Sequence, residues 1–174
     1  MPAPAVKFRE AEPGDIAALV ELRTAVAAEL TRIHGKGPWS SATTPAGVLR
    51  GLKGGRVLIA HRRGEPLGTL SLATKKPWAI DPEYFQPVSR PLYLHSMSIA
   101  VERQNQGLGR RLVEEAKKLA RIWPAQSIRL DAYDAPAGAG GFYAKCGFRE
   151  VGRVTYRGTP LIYFEYMIEG GTGR

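Results

Sequence analysis

The chain has 174 residues, of which 44% are hydrophobic and 24% charged, a balance typical of one globular domain rather than of a disordered chain. No apolar run approaches the roughly 18–20 residues that span a bilayer, and the N-terminal segment has no apolar signal sequence. Cys146 is the only cysteine, which excludes an intrachain disulfide. These features favour a reducing, cytoplasmic compartment and no membrane association.

The formal net charge of +9 predicts a polyanionic partner. Nucleic acid and a multiply phosphorylated small molecule both fit that charge. Because the basic residues are spread along the chain in runs of no more than two, the charge is weak evidence for nucleic acid. We therefore keep a basic nucleic-acid-binding domain only as a disfavoured alternative.

The N-terminal part predicts a strand and two helices. Val6–Ala11 alternates as a strand does, and Asp15 stands where a helix N-cap is expected. Apolar residues at helical spacing follow: Ile16, Leu19, Val20, Leu22, Val26 and Leu30. A shorter helix is predicted over Pro45–Leu52.

The middle of the chain predicts a hairpin, a loop and a central strand. Arg56–Arg62 and Leu67–Thr74 flank a turn and form the hairpin. Lys75–Pro91 contains four prolines and predicts a long irregular loop, a kind of segment that is often functional. Leu92–Val101 is apolar on both faces and predicts a central strand.

The C-terminal part predicts two helices and three strands. An apolar stripe predicts a helix over Gly107–Ile122, and Ser127–Tyr133 predicts a strand. A glycine-rich short helix over Ala137–Lys145 precedes strands at Glu150–Arg157 and Leu161–Ile168. The order β-α-α-β-β-β-α-β-α-β-β predicts a layered α/β fold in one domain, residues 1–169, with a flexible tail at 170–174.

The segment between the central strand and the amphipathic helix favours anion binding. Gly107 and Gly109 lack Cβ atoms, which allows a ligand to approach the backbone, and amides at a helix start form an anion cradle. In the alternative interpretation the glycines only ease a turn and Arg110 pairs with Glu114. The spacing matches neither a Walker loop nor the dinucleotide fingerprint.

Two motifs resemble signatures of the GNAT superfamily, the GCN5-related N-acetyltransferases. Gln104-x-x-Gly107-x-Gly109 resembles the first signature, and Tyr143 followed four residues later by Gly147-Phe148 resembles the second. The segment 6–23 also resembles the family's opening strand and helix. The resemblance implies a mixed, twisted sheet of about six or seven strands flanked by about four helices, with two strands that splay apart and bind coenzyme A (CoA).

The resemblance also implies a cofactor site. Backbone groups of Met97, Ile99 and Val101 would pair with the acetyl carbonyl and the pantetheine amides of acetyl-CoA. The pyrophosphate would bind the amides of Gln104, Asn105, Gln106, Gly107, Leu108 and Gly109. The outer phosphates would be within reach of Arg103, Arg110 or Arg111.

Tyr143 matches the family's general-acid tyrosine, which would protonate the departing CoA thiolate. A phenol suits this task because its pKa lies above that of the thiol. The amide of Met97 would face the oxyanion. In the alternative interpretation, the ring of Tyr143 only packs beside Phe142 and Phe148. One departure from the family pattern is Pro136, where an asparagine is common; Asp134 is a candidate cap for the following helix.

The base that deprotonates the acceptor ammonium is less defined. His95 has a suitable ordinary pKa, although a packed histidine is equally consistent with the strand. Other candidates are Glu29, His34, Asp134 and a water chain. Aromatic residues that would either wall an acceptor pocket or simply pack are Tyr93, Trp39, Trp78, Tyr84 and Phe85.

Cys146 has no histidine and asparagine pattern that would activate it, which indicates a structural thiol. No metal site is expected. The sequence therefore predicts an N-acetyltransferase that transfers acetyl from acetyl-CoA to a primary amine by direct attack in a ternary complex. A CoA-binding regulatory domain remains the first alternative, and a homodimer is left open.

Overall fold

The computed structural model describes residues 1–169, so the predicted tail at 170–174 lies outside the described residues. The strands are β1 (Lys7–Glu10), β2 (Gly55–Arg62), β3 (Glu65–Ala73), β4 (Pro91–Ile99), β5 (Ser127–Tyr133), β6 (Arg149–Tyr156) and β7 (Thr159–Met167). The helices are α1 (Ile16–His34), α2 (Pro45–Gly54), α3 (Leu108–Ile122) and α4 (Gly140–Lys145). The predicted α/β class, element order and sheet size are confirmed. Within residues 1–169, no helix has the length and apolar character that crossing a membrane requires.

The seven strands form one sheet in the order β1-β2-β3-β4-β5-β7-β6. Only β4 and β5 pair in parallel, and their pairing is short: it begins at Pro91 with Ser127 and ends at Tyr93 with Arg129. Both strands continue for several residues beyond that point without pairing to each other. The predicted divergence of two central strands is therefore confirmed, and it leaves a gap in the middle of the sheet.

The two faces of the sheet carry different helices. Leu58 and Ala60 of β2 belong to the main core together with α3, whereas Val57 and Ile59 pack with α1 and α2. The apolar stripe of α3 is buried as predicted, at Leu108, Leu112 and Ala116. Burial of such side chains stabilises a fold by about 1.5–3 kcal/mol each. We call these the α3 face and the α1 face of the sheet.

A β-bulge interrupts β4 where the strands diverge. Ser96 has φ +54°, and the pairing with β3 shifts so that Ser71 stands opposite His95 but Thr69 stands opposite Ser98. The extra residue changes the alternation of the strand. Leu94, Met97 and Ile99 consequently all pack on the α3 face.

Two predicted boundaries and one predicted helix cap are wrong. Strand β4 ends at Ile99 rather than Val101, because Val101–Arg103 form a 3₁₀ turn. Helix α4 begins at Gly140 rather than Ala137, and Asp134 does not cap it; the Asp134 carboxylate pairs with Arg153 at 3.3 Å.

Asp15 stands at the N-cap position of α1, but its side chain does not cap that helix. Its carboxylate accepts a hydrogen bond from the Glu12 amide at 2.8 Å and pairs with Arg9 at 2.7 Å. The hydrogen bond from Arg9 lowers the pKa of Asp15 to about 2. Asp15 therefore joins β1 to the start of α1.

The proline-rich loop before β4 is hydrogen-bonded to, and packs on, the α1 face of β5 and β7. Buried Arg129 donates to the Gln86 carbonyl at 2.7 Å, and buried Glu165 accepts from the Gln86 amide at 3.2 Å. Phe85 packs on Tyr163 in the same region. The loop is irregular, as predicted, and it covers the neighbouring part of the sheet.

Candidate active site

A cavity of about 590 Å³ opens where β4 and β5 part. Its walls come from α1, the segment between α1 and α2, the bulged part of β4, the end of β5 and the segment before α4. Tyr143 of α4 and Met97, both packed with the α3-face core, line the same cavity as groups from α1. The cavity therefore continues through the sheet from the α1 face toward the α3 face.

Tyr143 is buried, and its hydroxyl reaches the bulge. The ring makes edge contacts with Phe142 and Phe148, with ring centroids 5.2 and 5.8 Å apart. The hydroxyl donates to the Met97 sulfur at 3.5 Å. Burial raises the pKa of Tyr143, so the phenol keeps its proton at neutral pH. The packing interpretation describes the ring, and the hydroxyl remains available to a group bound beside Met97.

His95 lines the cavity on β4, with Nδ1 2.9 Å from the Ser96 hydroxyl. Burial lowers the pKa of His95, and the nearby Arg23 guanidinium lowers it further. The imidazole is consequently neutral at pH 7, which is the form that accepts a proton.

The other predicted bases do not line the cavity. Glu29 pairs with Arg32 on the outside of α1 at 2.6 Å, and this contact lowers the pKa of Glu29. His34 is exposed beside Trp39, and Asp134 pairs with Arg153. Of the predicted bases, the structure brings only His95 together with Tyr143.

Three charged residues of the cavity were not predicted: the exposed Arg50 of α2 and the half-buried Asp131 and Arg23. Asp131 of β5 lines the cavity, and burial raises its pKa. Arg23 of α1 lines the cavity on the α1 face of the sheet. The two half-buried residues carry a signal in the sequence: Arg23 lies four residues after Leu19 on the apolar stripe of α1, and Asp131 is a charged residue in a central strand.

The predicted aromatic wall is only partly present. Trp39 lines the cavity, with its ring 5.7 Å from that of Tyr133, which also lines it. Phe85 and Tyr93 are buried in a separate cluster under the proline-rich loop. Trp78 and Tyr84 are exposed on that loop and do not line the cavity.

The glycine-containing turn lies at the start of α3. Gly107 has φ +82°, a conformation that favours glycine, and a Cβ there would meet no other atom within 4 Å. The first helical hydrogen bond of α3 runs from the Arg111 amide to the Gly107 carbonyl. The amides of Leu108, Gly109 and Arg110 precede that bond and have no helical acceptor. They form a group of donors at the positive end of the helix dipole.

The turn before α3 is held by side-chain amides. Gln104 donates to the Ile99 carbonyl at 3.0 Å, and Gln106 donates to the Glu102 carbonyl at 3.0 Å. Asn105 adopts φ +60° between them. The two glutamines therefore fix the backbone of the turn.

Gly109 serves packing. A Cβ at Gly109 would lie 3.2 Å from the Phe142 ring and 3.3 Å from the Met97 methyl group. This glycine therefore allows α4, which carries Tyr143, to lie close to α3 and to the bulge.

The arginines beside the turn differ in their contacts. Glu114 pairs with Lys117 at 2.9 Å instead of with Arg110, so the predicted alternative pairing is wrong. Arg111 lies over the Phe8 ring at 5.1 Å. Arg103 is half-buried, and its Nε has no hydrogen-bond partner among residues 1–169. Arg110 is exposed on the first turn of α3 and makes none of the ion pairs found in that range.

The backbone of β4 beyond the bulge faces the gap. The Ala100 amide donates to the Leu67 carbonyl at 2.8 Å, and Ile99 stands opposite Gly68. By the alternation of an antiparallel ladder, the amide and carbonyl of Ile99 point away from β3 toward the gap. The Ile99 carbonyl accepts from Gln104, which leaves its amide as the donor directed at the gap. Val101 is exposed just beyond it.

Cys146 is buried at the end of α4. Burial raises the pKa of its thiol, so it is protonated at neutral pH. Its carbonyl accepts from buried Lys117 at 2.6 Å. This contact ties the end of α4 to α3.

The family model described as an acetyltransferase (GNAT) domain matches residues 53–150, more than half of the chain. This range contains β4, the bulge, the turn before α3 and Tyr143. The chain belongs to the GNAT acetyltransferase family. A comparison with curated proteins finds no match. Membership confirms the resemblance of the two motifs and identifies the fold as the GNAT fold.

Several solved structures share this fold over nearly the whole chain. The protein smu.2055 of Streptococcus mutans UA159 superposes with a TM-score of 0.73 at 19% identity, over 94% of this chain and 99% of its own. The putative acetyltransferase yncA of Salmonella typhimurium, solved with acetyl-CoA, gives a TM-score of 0.71 at 19% identity, over 97% of each chain. A GNAT acetyltransferase of Brucella melitensis in complex with acetyl-CoA gives 0.64 at 17%, over 98% and 92%. These likenesses concern the fold.

Proposed function

We propose that this GNAT protein transfers an acetyl group from acetyl-CoA to a primary amine by direct attack in a ternary complex. The proposal rests on the gap between β4 and β5. Tyr143, His95 and the bulge of β4 all line the cavity at this gap. Two structurally similar proteins, a putative acetyltransferase and a GNAT acetyltransferase, were solved with acetyl-CoA. We take residues 1–169 as the catalytic unit.

The residues around the gap fit acetyl-CoA. The amides at 105–109 at the start of α3 suit the pyrophosphate, and Arg110 suits an outer phosphate. The Gln104 amide already donates to the Val101 carbonyl at 3.4 Å. The free amide of Ile99 suits a pantetheine carbonyl, with Met97 and Val101 as its neighbours on the same path. Bound there, acetyl-CoA would supply an activated thioester to the acceptor amine.

Tyr143 and Met97 are the residues we assign to the acyl carbon. The hydroxyl of Tyr143 holds a proton beside Met97, where a departing thiolate would take it up. The amide of Met97 follows the bulge, and we assign it to the negative charge that develops on the acetyl oxygen. The amine nitrogen forms the new bond to the acetyl carbon as the carbon–sulfur bond breaks and the thiolate takes the Tyr143 proton. The second proton, which the nitrogen loses as it becomes an amide, restores the Tyr143 hydroxyl.

His95 is the residue we assign to the acceptor ammonium. Because its lowered pKa keeps it neutral, it takes one proton from the ammonium and leaves a nucleophilic amine. Asp131 lies in the same cavity, and burial raises its pKa, which makes its carboxylate a second candidate for this proton. The acceptor would enter from the α1 face and meet the thioester in the gap.

The test is release of the CoA thiol with a panel of primary amines, each measured against a blank without amine. The proposal predicts release that depends on the amine, together with an acetylated product in equal amount. Calorimetric binding of CoA with no transfer to any amine would favour a CoA-binding regulatory domain. Retention on heparin without CoA binding would favour the nucleic-acid alternative.

A further inference from the structure

Arg23 is the least satisfied charge around the cavity. Its Nη2 makes one long hydrogen bond, 3.4 Å to the hydroxyl of buried Ser71. Its Nε is buried with no hydrogen-bond partner, and the ion pairs found within residues 1–169 do not include it. Burial lowers the pKa of Arg23. A guanidinium withdrawn from water without a carboxylate is unfavourable, so a ligand that supplies an anion would be stabilised there.

The position of Arg23 directs that anion into the acceptor side of the cavity. The side chain descends from α1 onto the α1 face of the sheet, where it meets Ser71 of β3 and lowers the pKa of His95 on β4. Its neighbours Ala27 and Leu30 along the same helix face also line the cavity. The glycine turn before α3, proposed for the pyrophosphate, does not line it. Arg23 therefore faces the proposed acceptor rather than the CoA phosphates.

The cavity presents charges of both signs to a small ligand. Asp131 is its acidic residue and stands on β5 across from His95 on β4, while Arg50 is an exposed arginine at its edge. A volume of about 590 Å³ is within the range of small-molecule sites. An ammonium near Asp131 and His95 and a carboxylate at Arg23 would satisfy both charges.

We propose that Arg23 binds the carboxylate of the acceptor, and that the acceptor is a small amine carrying a carboxylate, such as a free amino acid. The inference rests on the proposed function and narrows its substrate class. The guanidinium fork suits a carboxylate because it donates two parallel hydrogen bonds. Polyamines lack the group that Arg23 requires, and they bring further positive charge toward it.

The test compares matched pairs of acceptors that differ only in the carboxylate: each amino acid against the amine that decarboxylation would give. For wild-type protein saturated with acetyl-CoA, we expect kcat/KM to be about 10²-fold or more higher for the best amino acid than for its decarboxylated partner, since a site built for a group rejects the analogue that lacks it. Equal values across every pair, with transfer observed, would overturn this inference and leave the proposed function standing. Absence of transfer to any amine would overturn both.

Variants then assign the preference to Arg23. Arg23→Gln should abolish the preference, so that kcat/KM for the amino acid falls to the value for its decarboxylated partner. The ratio within each pair is the readout, because loss of Arg23 also changes the pKa of His95 and thereby affects both acceptors alike. Arg23→Lys, which keeps the charge but lacks the fork, should retain part of it. Arg50→Gln is the control for an exposed arginine and should have a smaller effect. CoA affinity by calorimetry should be unaltered in Arg23→Gln. A full preference in Arg23→Gln would overturn the assignment; if that variant does not fold, the wild-type pairs decide.

Discussion

At the scale of single residues, Tyr143 combines two roles that the sequence presented as alternatives. Its ring packs among Phe142, Phe148 and Phe164, and its hydroxyl points at Met97. The aromatic contacts fix the direction of the hydroxyl, since a buried ring has few rotamers available. Packing and chemistry therefore depend on the same side chain, and a substitution must keep the ring in order to test the hydroxyl alone.

Tyr143→Phe keeps the ring and removes that hydroxyl. We expect turnover on a good acceptor to fall by about 10²–10⁴-fold, the usual contribution of a general acid, with acetyl-CoA affinity and the denaturation midpoint nearly unchanged. The measurement is single-turnover thiol release, which isolates the chemical step. Tyr133→Phe, on a strand that borders the same cavity, is the matched control and should keep most of the activity. An unchanged single-turnover rate in Tyr143→Phe would mean that Tyr143 serves only to pack the core.

His95 predicts a particular pH dependence. Because burial and Arg23 lower its pKa, the neutral base persists to a lower pH than an ordinary histidine with pKa 6.5 would allow. The rate should fall only as pH drops through this lowered value. In His95→Gln that acid limb should disappear and kcat/KM at neutral pH should drop by about 10²-fold or more.

The measurement is the pH profile of kcat/KM with one acceptor, so that titration of the amine is common to both proteins. Asp131→Asn is the companion variant. Its raised pKa would give Asp131 an acid limb of its own, above the ordinary 3.8. If the fall in kcat/KM at low pH persists in His95→Gln but is lost in Asp131→Asn, the base is Asp131 rather than His95.

At this scale the sequence predicted the site only in part. Tyr143 and His95 were found because a motif or a titratable side chain marked them, and the structure places both on one cavity. Arg23 and Asp131 were missed because each lies in an element whose pattern was assigned to the core. Glu29 and Asp134 remained candidates until the structure showed their pairing with Arg32 and Arg153. Such pairings depend on neighbours distant in sequence or on side-chain geometry.

At the scale of elements, the bulge of β4 and the start of α3 determine the geometry of the cleft. The bulge rotates Met97 and Ile99 to the α3 face, and the parallel pairing of β4 with β5 ends before it. The turn at Gly107 then starts α3, whose first amides have no helical acceptor. Strand and helix were both predicted from periodicity, but a bulge leaves no regular pattern in the sequence, so the alternation beyond Leu94 could not be predicted.

Gly107→Asp tests the cradle at the start of α3. It should weaken CoA binding by at least 10-fold, because a carboxylate would face the phosphates in a partly desolvated site. Gly107→Asn has the same shape without the charge and should bind CoA more tightly than Gly107→Asp. Gly64→Asp, at a turn with φ +83° and no neighbouring atom within 4 Å, controls for backbone strain. The measurement is calorimetry with CoA, and equal affinities for the Asp and Asn variants of Gly107 would contradict the assignment.

At the scale of the whole molecule, the fold was predicted closely because strong periodic patterns coincide with its long elements. The boundaries of α3 and β5 were predicted to within one residue, since amphipathic stripes and polar turns delimit both elements. Helix α4 was predicted too long because its glycines carry no pattern. The position of the proline-rich loop depends on Arg129 and Glu165, which lie far along the chain.

The whole arrangement assigns each face of the sheet a role: the α3 face to acetyl-CoA and the α1 face to the acceptor. A crystal structure of the complex with CoA tests this most directly. We predict that the pantetheine arm lies between β4 and β5, that the pyrophosphate contacts the amides between Gln104 and Arg110, and that the thiol lies within reach of the Tyr143 hydroxyl. CoA bound outside the gap, or a thiol directed away from Tyr143, would contradict the account.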